Sequence, residues 1–186
     1  MLKVELHTHT SDDPVDNIPH STFELIDRAA QLGYDALAIT LHDKQLDLRR
    51  FVDYAADRGI TLIRGIERTI EGRHVLLLNF TPAAEWINSF PDLAELKSRE
   101  PHGLVVAPHA FFPTKFALRE YMDRHPDLFD VVECNAMFTR LVNFNREAQR
   151  WARAHGKPIA GNGDVHRLRQ LGSTYSLVDA PRDAGA

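Results

Sequence analysis

The chain has 186 residues, 44% hydrophobic and 26% charged, a profile that excludes disorder, collagen-like repeats and a bundle of membrane spans. With 22 Lys and Arg against 26 Asp and Glu the formal charge is −4, so no general positive field exists to hold a long nucleic acid by counterion release. The length predicts one domain over residues 1–186. A single cysteine, Cys134, and an N-terminus that opens directly on the strand-like run from Leu2 predict a cytoplasmic protein. The lack of a ~20-residue apolar run or a lipidation motif predicts no membrane attachment, and nothing in the sequence specifies an oligomeric state.

Short apolar, β-branched runs alternate with amphipathic stretches, the pattern of repeated βα units on a parallel sheet. Strands are predicted over 3–6, 36–40, 61–66, 75–80, 104–107, 131–134 and 158–160, with a late one near 175–178. A helix is predicted over 22–32: Phe23, Ile26 and Ala30 share an apolar face, Ser21 is an N-cap with Glu24 three residues on, and Gly33 stops it. Further helices are expected near 47–58 and 144–155. A complete eight-fold barrel takes ~250 residues, so the expected α/β architecture is slimmer, a distorted, TIM-like (β/α)7 barrel.

In such a fold the residues just past the strand C-termini converge on one face, which hosts the chemistry. Reading outward from the apolar runs gives His7 and His9, then His42, Glu67, His109, Glu133, and finally Asp164 and His166. His74 precedes its strand, but a hairpin with the strand before would set it beside Glu67. His102, His125 and His155 belong on the opposite face, while His20, just before a helix cap, is ambiguous. One histidine alone is more often a satisfied surface or core residue; six sorted to one end argue for a metal site. Imidazole and carboxylate without available thiolate suit Zn, Mn or Fe. With Asp13 the set has nine members, His7, His9, Asp13, His42, Glu67, His74, His109, Asp164 and His166, too many for one ion and suited to two to three divalent ions sharing carboxylates. Three dications would be only half offset by Asp13, Glu67 and Asp164, leaving a pocket that attracts an anion such as phosphate.

The ordered motifs resemble those of the PHP superfamily, named for its polymerase and histidinol phosphatase members. His7-Thr8-His9-Thr10 is similar to its opening His-x-His-Thr, and Ser11-Asp12-Asp13 to the acidic segment that follows, with Asp12 or Asp16 as alternatives to Asp13. Ile39-Thr40-Leu41-His42, Gly65-Ile66-Glu67, His74, His109-Ala110, Glu133-Cys134-Asn135 and Asp164-Val165-His166 match the later motifs in order. Leu41, Ala110 and Gly163 depart from the usual Asp, Pro and Ser, and Leu41 removes an acceptor that would orient a ligand.

The resemblance implies a small distorted seven-stranded barrel with a multinuclear metal site at the C-terminal ends of its strands. It also implies hydrolysis of a small phosphorylated substrate, monoester or diester, by a metal-bridging hydroxide attacking phosphorus. Asp13, Glu67 and Asp164, with His7 and His9, would hold the nucleophile side, and His42, His74, His109 and His166 the remaining ions. Arg68, Lys115, Arg140 and Arg167 are candidates to clamp the phosphate, Arg167 being best placed, directly after His166. Phe111, Phe112 and Phe116 either line the pocket or cap the core. Arg146, Arg150 and Arg153 read as an exposed helix face, and Cys134 as a structural thiol. A metal-dependent C–N hydrolase of the amidohydrolase type and a non-catalytic metal-stabilised interaction module are the alternatives.

Overall fold

The computed structural model describes residues 1–139 and 141–181. Its strands are β1 (Leu2–Glu5), β2 (Ala36–Ile39), β3 (Thr61–Ile70), β4 (Arg73–Leu78), β5 (Leu104–Ala107), β6 (Val131–Asn135), β7 (Ile159–Asn162) and β8 (Ser176–Val178). The helices are α1 (Thr22–Gln31), α2 (Val52–Ala56), α3 (Phe90–Arg99), α4 (Glu120–Arg124) and α5 (Asn145–Ala154). All eight strands form one sheet in the order β7-β6-β5-β4-β3-β2-β1-β8. It curls into a nearly closed, distorted barrel: past the ends of β1 and β7, His9 N donates to Val165 O at 3.0 Å and Val165 N to His7 O at 3.1 Å. The gap below is bridged by β8, which pairs antiparallel with β1 and whose Ser176 Oγ accepts from Gly161 N at 2.8 Å. The expected (β/α)7 barrel is therefore β1–β7, with β8 as a short antiparallel insert.

The regularity breaks at β4, which runs antiparallel to both β3 and β5. Its cause is a two-residue turn, Glu71 (φ 48°) and Gly72 (φ 76°), whose paired left-handed conformations match the twist of a tight hairpin. The turn also explains why β3 extends to Ile70 rather than 66: its outer half is completed by pairing with β4, Thr69 opposite His74 and Glu67 opposite Leu76. Strand alternation then sorts the side chains. Val4, Ala36, Ala38, Leu76, Leu78, Val106 and Ala160 fill the barrel interior, and the alanines make it narrow. Leu37 and Ile39 point outward against Leu25, Ile26 and Ala29 of α1, and Val105, Ala107 and Val132 pack outward with residues of α3, α4 and α5.

Helix α1 carries the expected capping box, with Ser21 accepting from Glu24 N and Glu24 accepting from Ser21 N. The predicted helix over 47–58 is split into a 3-10 turn, Leu48–Arg50, and α2; Phe51 between them is buried in the core, its backbone still right-handed but stretched to φ −119°. Helix α3 lies in a stretch where no helix was located from the sequence, although Ser89-Phe90-Pro91-Asp92 is a second capping box with proline in its first turn. No described helix is long and apolar enough to cross a membrane. The arginines of α5 are exposed, as expected of a solvated face.

Candidate metal centre

The donors gather where the strands end. His7 and His9 follow β1, His42 follows β2, Glu67 lies within the outer half of β3, His74 begins β4, His109 follows β5, and Asp164 and His166 follow β7. His109 and Asp164 reach the site from left-handed backbone, φ 28° and 48°, a strain of the order of 1–3 kcal/mol each that surrounding structure must hold. The hairpin does for His74 what the sequence required: its Nδ1 lies 2.8 Å from Glu67 Oε1.

Glu67, almost completely buried, is the hub. Its Oε1 faces His74 Nδ1 at 2.8 Å and His109 Nε2 at 3.0 Å; its Oε2 faces His7 Nε2 and His9 Nε2 at 3.3 Å each and His42 Nε2 at 3.2 Å. Asp164 Oδ1 stands 3.4 Å from His7 Nε2, 3.6 Å from His9 Nε2 and 3.2 Å from His166 Nδ1.

The far nitrogens of three imidazoles fix which atoms carry protons. His7 Nδ1 donates to Glu133 Oε2 at 2.7 Å, and His9 Nδ1 and His42 Nδ1 both donate to Asp13 Oδ2 at 3.0 Å. An ionised carboxylate can only accept, so each Nδ1 bears the hydrogen and each Nε2 presents a lone pair. Those lone pairs converge on carboxylate oxygens, and His7 Nε2, His9 Nε2 and Asp164 Oδ1 have no hydrogen-bond partner among the described residues although buried. Converging acceptors repel unless a cation lies among them. Protons can supply that charge: burial, which opposes it, is outweighed by Asp164, Glu67 and Glu133, so His7 is held well above its ordinary pKa. For His9 burial is likewise outweighed, by the hydrogen bond to Asp13 and the facing carboxylates of Asp164 and Glu67, and its pKa is pushed up to about 10. Glu67 and Asp164 are held well below the carboxylate range, burial being outweighed in both by His7 and other imidazoles. A divalent ion satisfies the same lone pairs without protonating the ligands, so the residues fit one.

Four overlapping triads have donor atoms close enough to hold a metal: His7/His9/Glu67, His7/His109/Asp164, His42/Glu67/His74 and His9/His42/His166. They contain eight of the nine expected donors. Asp13 is in none: its Oδ2 also accepts from His42 N at 3.0 Å, and its Oδ1 accepts from Val15 N and Asp16 N at 2.9 Å each. It thus supplies the acceptor for His42 that Leu41 cannot, Leu41 being buried in the core beside α1. Asp16, the alternative in that loop, reaches the cleft, with Oδ2 3.1 Å from His166 Nε2.

Glu133, a strand-end carboxylate outside the nine donors, and Asn135 of the same motif are parts of the site, and Asn162 and Glu5 join them without having been singled out in the sequence. Glu133 points inward from β6 and accepts four hydrogen bonds: from His7 Nδ1, from Asn162 Nδ2 (3.1 Å), from His109 N (3.0 Å) and from Asn135 Nδ2 (2.8 Å). Asn135 also donates to Asp164 Oδ2 at 3.3 Å. Glu5, fully buried, accepts from His7 N and Gly163 N at 3.2 and 2.9 Å, yet burial pushes its pKa up to about 8. A side chain at Gly163 would meet Val165 Cγ2 at 2.8 Å and Glu5 Oε2 at 3.1 Å, which accounts for glycine there. The inward alternation of Glu133, Asn135 and Asn162 was the available signal.

Of the phosphate-clamp candidates, Arg68 is engaged elsewhere, donating to Asp43 Oδ1 (2.7 Å), Ile87 O (2.8 Å) and Asn88 Oδ1 (2.7 Å). Arg167 is exposed beyond His166 and does not line the cleft. Lys115 lies at the rim with Nζ 4.8 Å from the centre of the Phe116 ring, and Arg140 lies outside the described residues. His20 is buried apart from the triads. His125 and His155 stack on Phe90 and Trp151 and belong to none of the triads, and His102 sits in a turn before β5. Cys134 is partly buried, with Gln149 Nε2 donating to Sγ at 3.5 Å.

Comparison with known proteins bears on the fold and the family. A curated relative, the PolC-type DNA polymerase III of Caldanaerobacter subterraneus subsp. tengcongensis, is 37% identical over 65 residues, which are 35% of this chain and 5% of that protein. A two-domain protein from Bacteroides vulgatus, described as containing a predicted PHP-like metal-dependent phosphoesterase, superposes with a TM-score of 0.68 at 20% identity; the match covers 91% of this chain and 53% of that one. An amidohydrolase from Chromobacterium violaceum, with bound sulfate and no metal, superposes with a TM-score of 0.66 at 17% identity over 96% of this chain and 92% of its own. The chain therefore spans only a small part of the polymerase and about half of the Bacteroides protein. A family model for PHP-associated sequences matches residues 142–184. The model of the PHP domain matches residues 5–149, from the buried glutamate of β1 through six of the seven barrel strands, and the chain belongs to the PHP domain family.

Proposed function

We propose that the chain is a metal-dependent phosphoesterase that hydrolyses a small phosphorylated substrate, with two to three divalent ions held by His7, His9, His42, Glu67, His74, His109, Asp164 and His166. The observation that carries this reading is the convergence of imidazole lone pairs on both oxygens of Glu67, which makes one buried carboxylate common to two sets of donors. When bound, such ions lower the pKa of water and polarise phosphoryl oxygens, the chemistry that phosphoester hydrolysis needs. Zn, Mn and Fe suit these ligands.

The chain's own residues position that chemistry. Asp13 turns His9 and His42 so that both Nε2 atoms face Glu67, and Glu133 does the same for His7. Asp16, at the solvent-facing edge of the cleft with Oδ2 3.1 Å from His166 Nε2, passes a proton to the departing oxygen. Arg167, next to His166, offers a charge to the incoming anion at the mouth. The test is metal content per chain of protein purified without chelator, with turnover of p-nitrophenyl phosphate and bis-p-nitrophenyl phosphate on the same sample. Two to three ions with turnover lost in His7→Ala support the reading. Metal without turnover favours the interaction module, and cleavage of amides but not esters favours the C–N hydrolase.

A further inference from the structure

Beyond the donor atoms, the wall of the same cleft is apolar. The cleft, ≈ 190 Å³, is completed by Thr114, Phe116 and Met137. The Phe116 ring lies against the His74 ring, 4.3 Å between centres and 19° from parallel, and the Phe116 carbonyl accepts from His74 N at 2.9 Å. The aromatic wall is thus fixed to the strand that brings His74 to Glu67. Met137 is 49% exposed, and Phe138, Leu141 and Val142 follow it exposed on the segment after β6. No Lys or Arg side chain lines the cleft among the described residues.

A phosphoryl group seated at the donor end places its ester substituent on this wall. A polyol there would lose hydration against carbon, whereas an apolar ring gains contact with the part of Phe116 that His74 leaves uncovered and a thioether contact with Met137. The cleft, ≈ 190 Å³, has room for one ring beside the phosphoryl group. We propose that the substrate is an aryl phosphoester, its aromatic leaving group packing between Phe116 and Met137. This rests on the phosphoesterase reading but concerns the group beyond phosphorus.

The test is calorimetric titration of Mn-loaded full-length protein with phenylphosphonate and methylphosphonate, neither of which can be hydrolysed at an ester, at a pH where both are dianions. Phenylphosphonate is expected to bind about tenfold more tightly. Phe116→Ala should remove most of that preference, and Met137→Ala, at a half-exposed position where folding is not at stake, should reduce it about threefold. Lys115→Ala should weaken both ligands equally. Equal affinities in the parent protein, or a preference that survives both Phe116→Ala and Met137→Ala, overturns the proposal. The two readings fail separately: an aryl preference without turnover of any phosphoester retains the pocket and removes the activity, while turnover without aryl preference does the reverse.

Discussion

Replacing Glu133 by Gln changes one atom in shape but removes what holds His7. Four donors converge on the two carboxylate oxygens of Glu133: His7 Nδ1, Asn162 Nδ2, His109 N and Asn135 Nδ2. A glutamine offers one oxygen and one NH2 group, so at least one pair of these donors faces another donor in a site with no solvent. Each lost or opposed bond costs about 1–3 kcal/mol, giving roughly 2–6 kcal/mol in stability. Loss of the acceptor also releases the His7 tautomer, and such orienting partners are commonly worth about 10–100-fold in metal affinity. The assay is competition with a calibrated chelator, paired with urea unfolding of the metal-free protein. Unchanged metal affinity in a Glu133→Gln protein that has lost a few kcal/mol would show that Glu133 supports the fold and not the ligand. Unchanged values in both would refute the network as described.

Other outcomes follow from the same geometry. Glu5 has its pKa raised from 4.5 to about 8 by burial, so the folded state holds its proton; its contribution is intact below pH 4.5 and is lost as pH rises through 8, by roughly 5 kcal/mol at most. Stability of chelator-treated protein should therefore fall across that window, and Glu5→Gln should flatten the fall; parallel curves for the two proteins would remove Glu5 as the cause. A β-carbon at Gly65 would meet Thr40 Cγ2 at 2.6 Å and Ile39 O and Leu78 Cδ2 at 3.0 Å, so Gly65→Ala should cost about 1–3 kcal/mol and shift Glu67, two residues on. Unchanged melting temperature and metal content would disprove that close approach. Asp13→Asn should weaken metal binding about 10–100-fold, whereas Asp16→Asn should keep the ions and alter the pH profile of turnover; elemental analysis showing the opposite pattern would exchange their roles.

How much of this was legible depended on whether a residue's role is set by its own strand or by a distant loop. His7, His42, His109 and Asp164 could be placed because apolar alternation marks where each strand stops, and a parallel barrel sends every such end to one face. His74 needed one further fact, the antiparallel turn at Glu71-Gly72, for which the sequence has only the glycine. The predicted helix over 47–58 divides at the buried Phe51 into a 3-10 turn and α2, and α3 went unnamed although its capping box was in the sequence. Arg68 is basic and follows Glu67, yet Asp43, from the turn after β2, draws its guanidinium away. No local pattern could show that.

The departures from the family's usual motifs show the same division between local and tertiary information. Leu41 and Gly163 read in the sequence as losses, an acceptor missing before His42 and a hydroxyl missing before Asp164. In three dimensions each has a counterpart. Asp13, 28 positions before Leu41, binds His42 at both its backbone N and its Nδ1 and leaves Leu41 free to fill the core under α1. Gly163 leaves room for Glu5, which accepts the backbone hydrogens of both Gly163 and His7 and so ties the first donor segment to the last. Each substitution is intelligible only with its partner, and such partners become visible when the barrel brings residue 5 against residue 163 and residue 13 against residue 42.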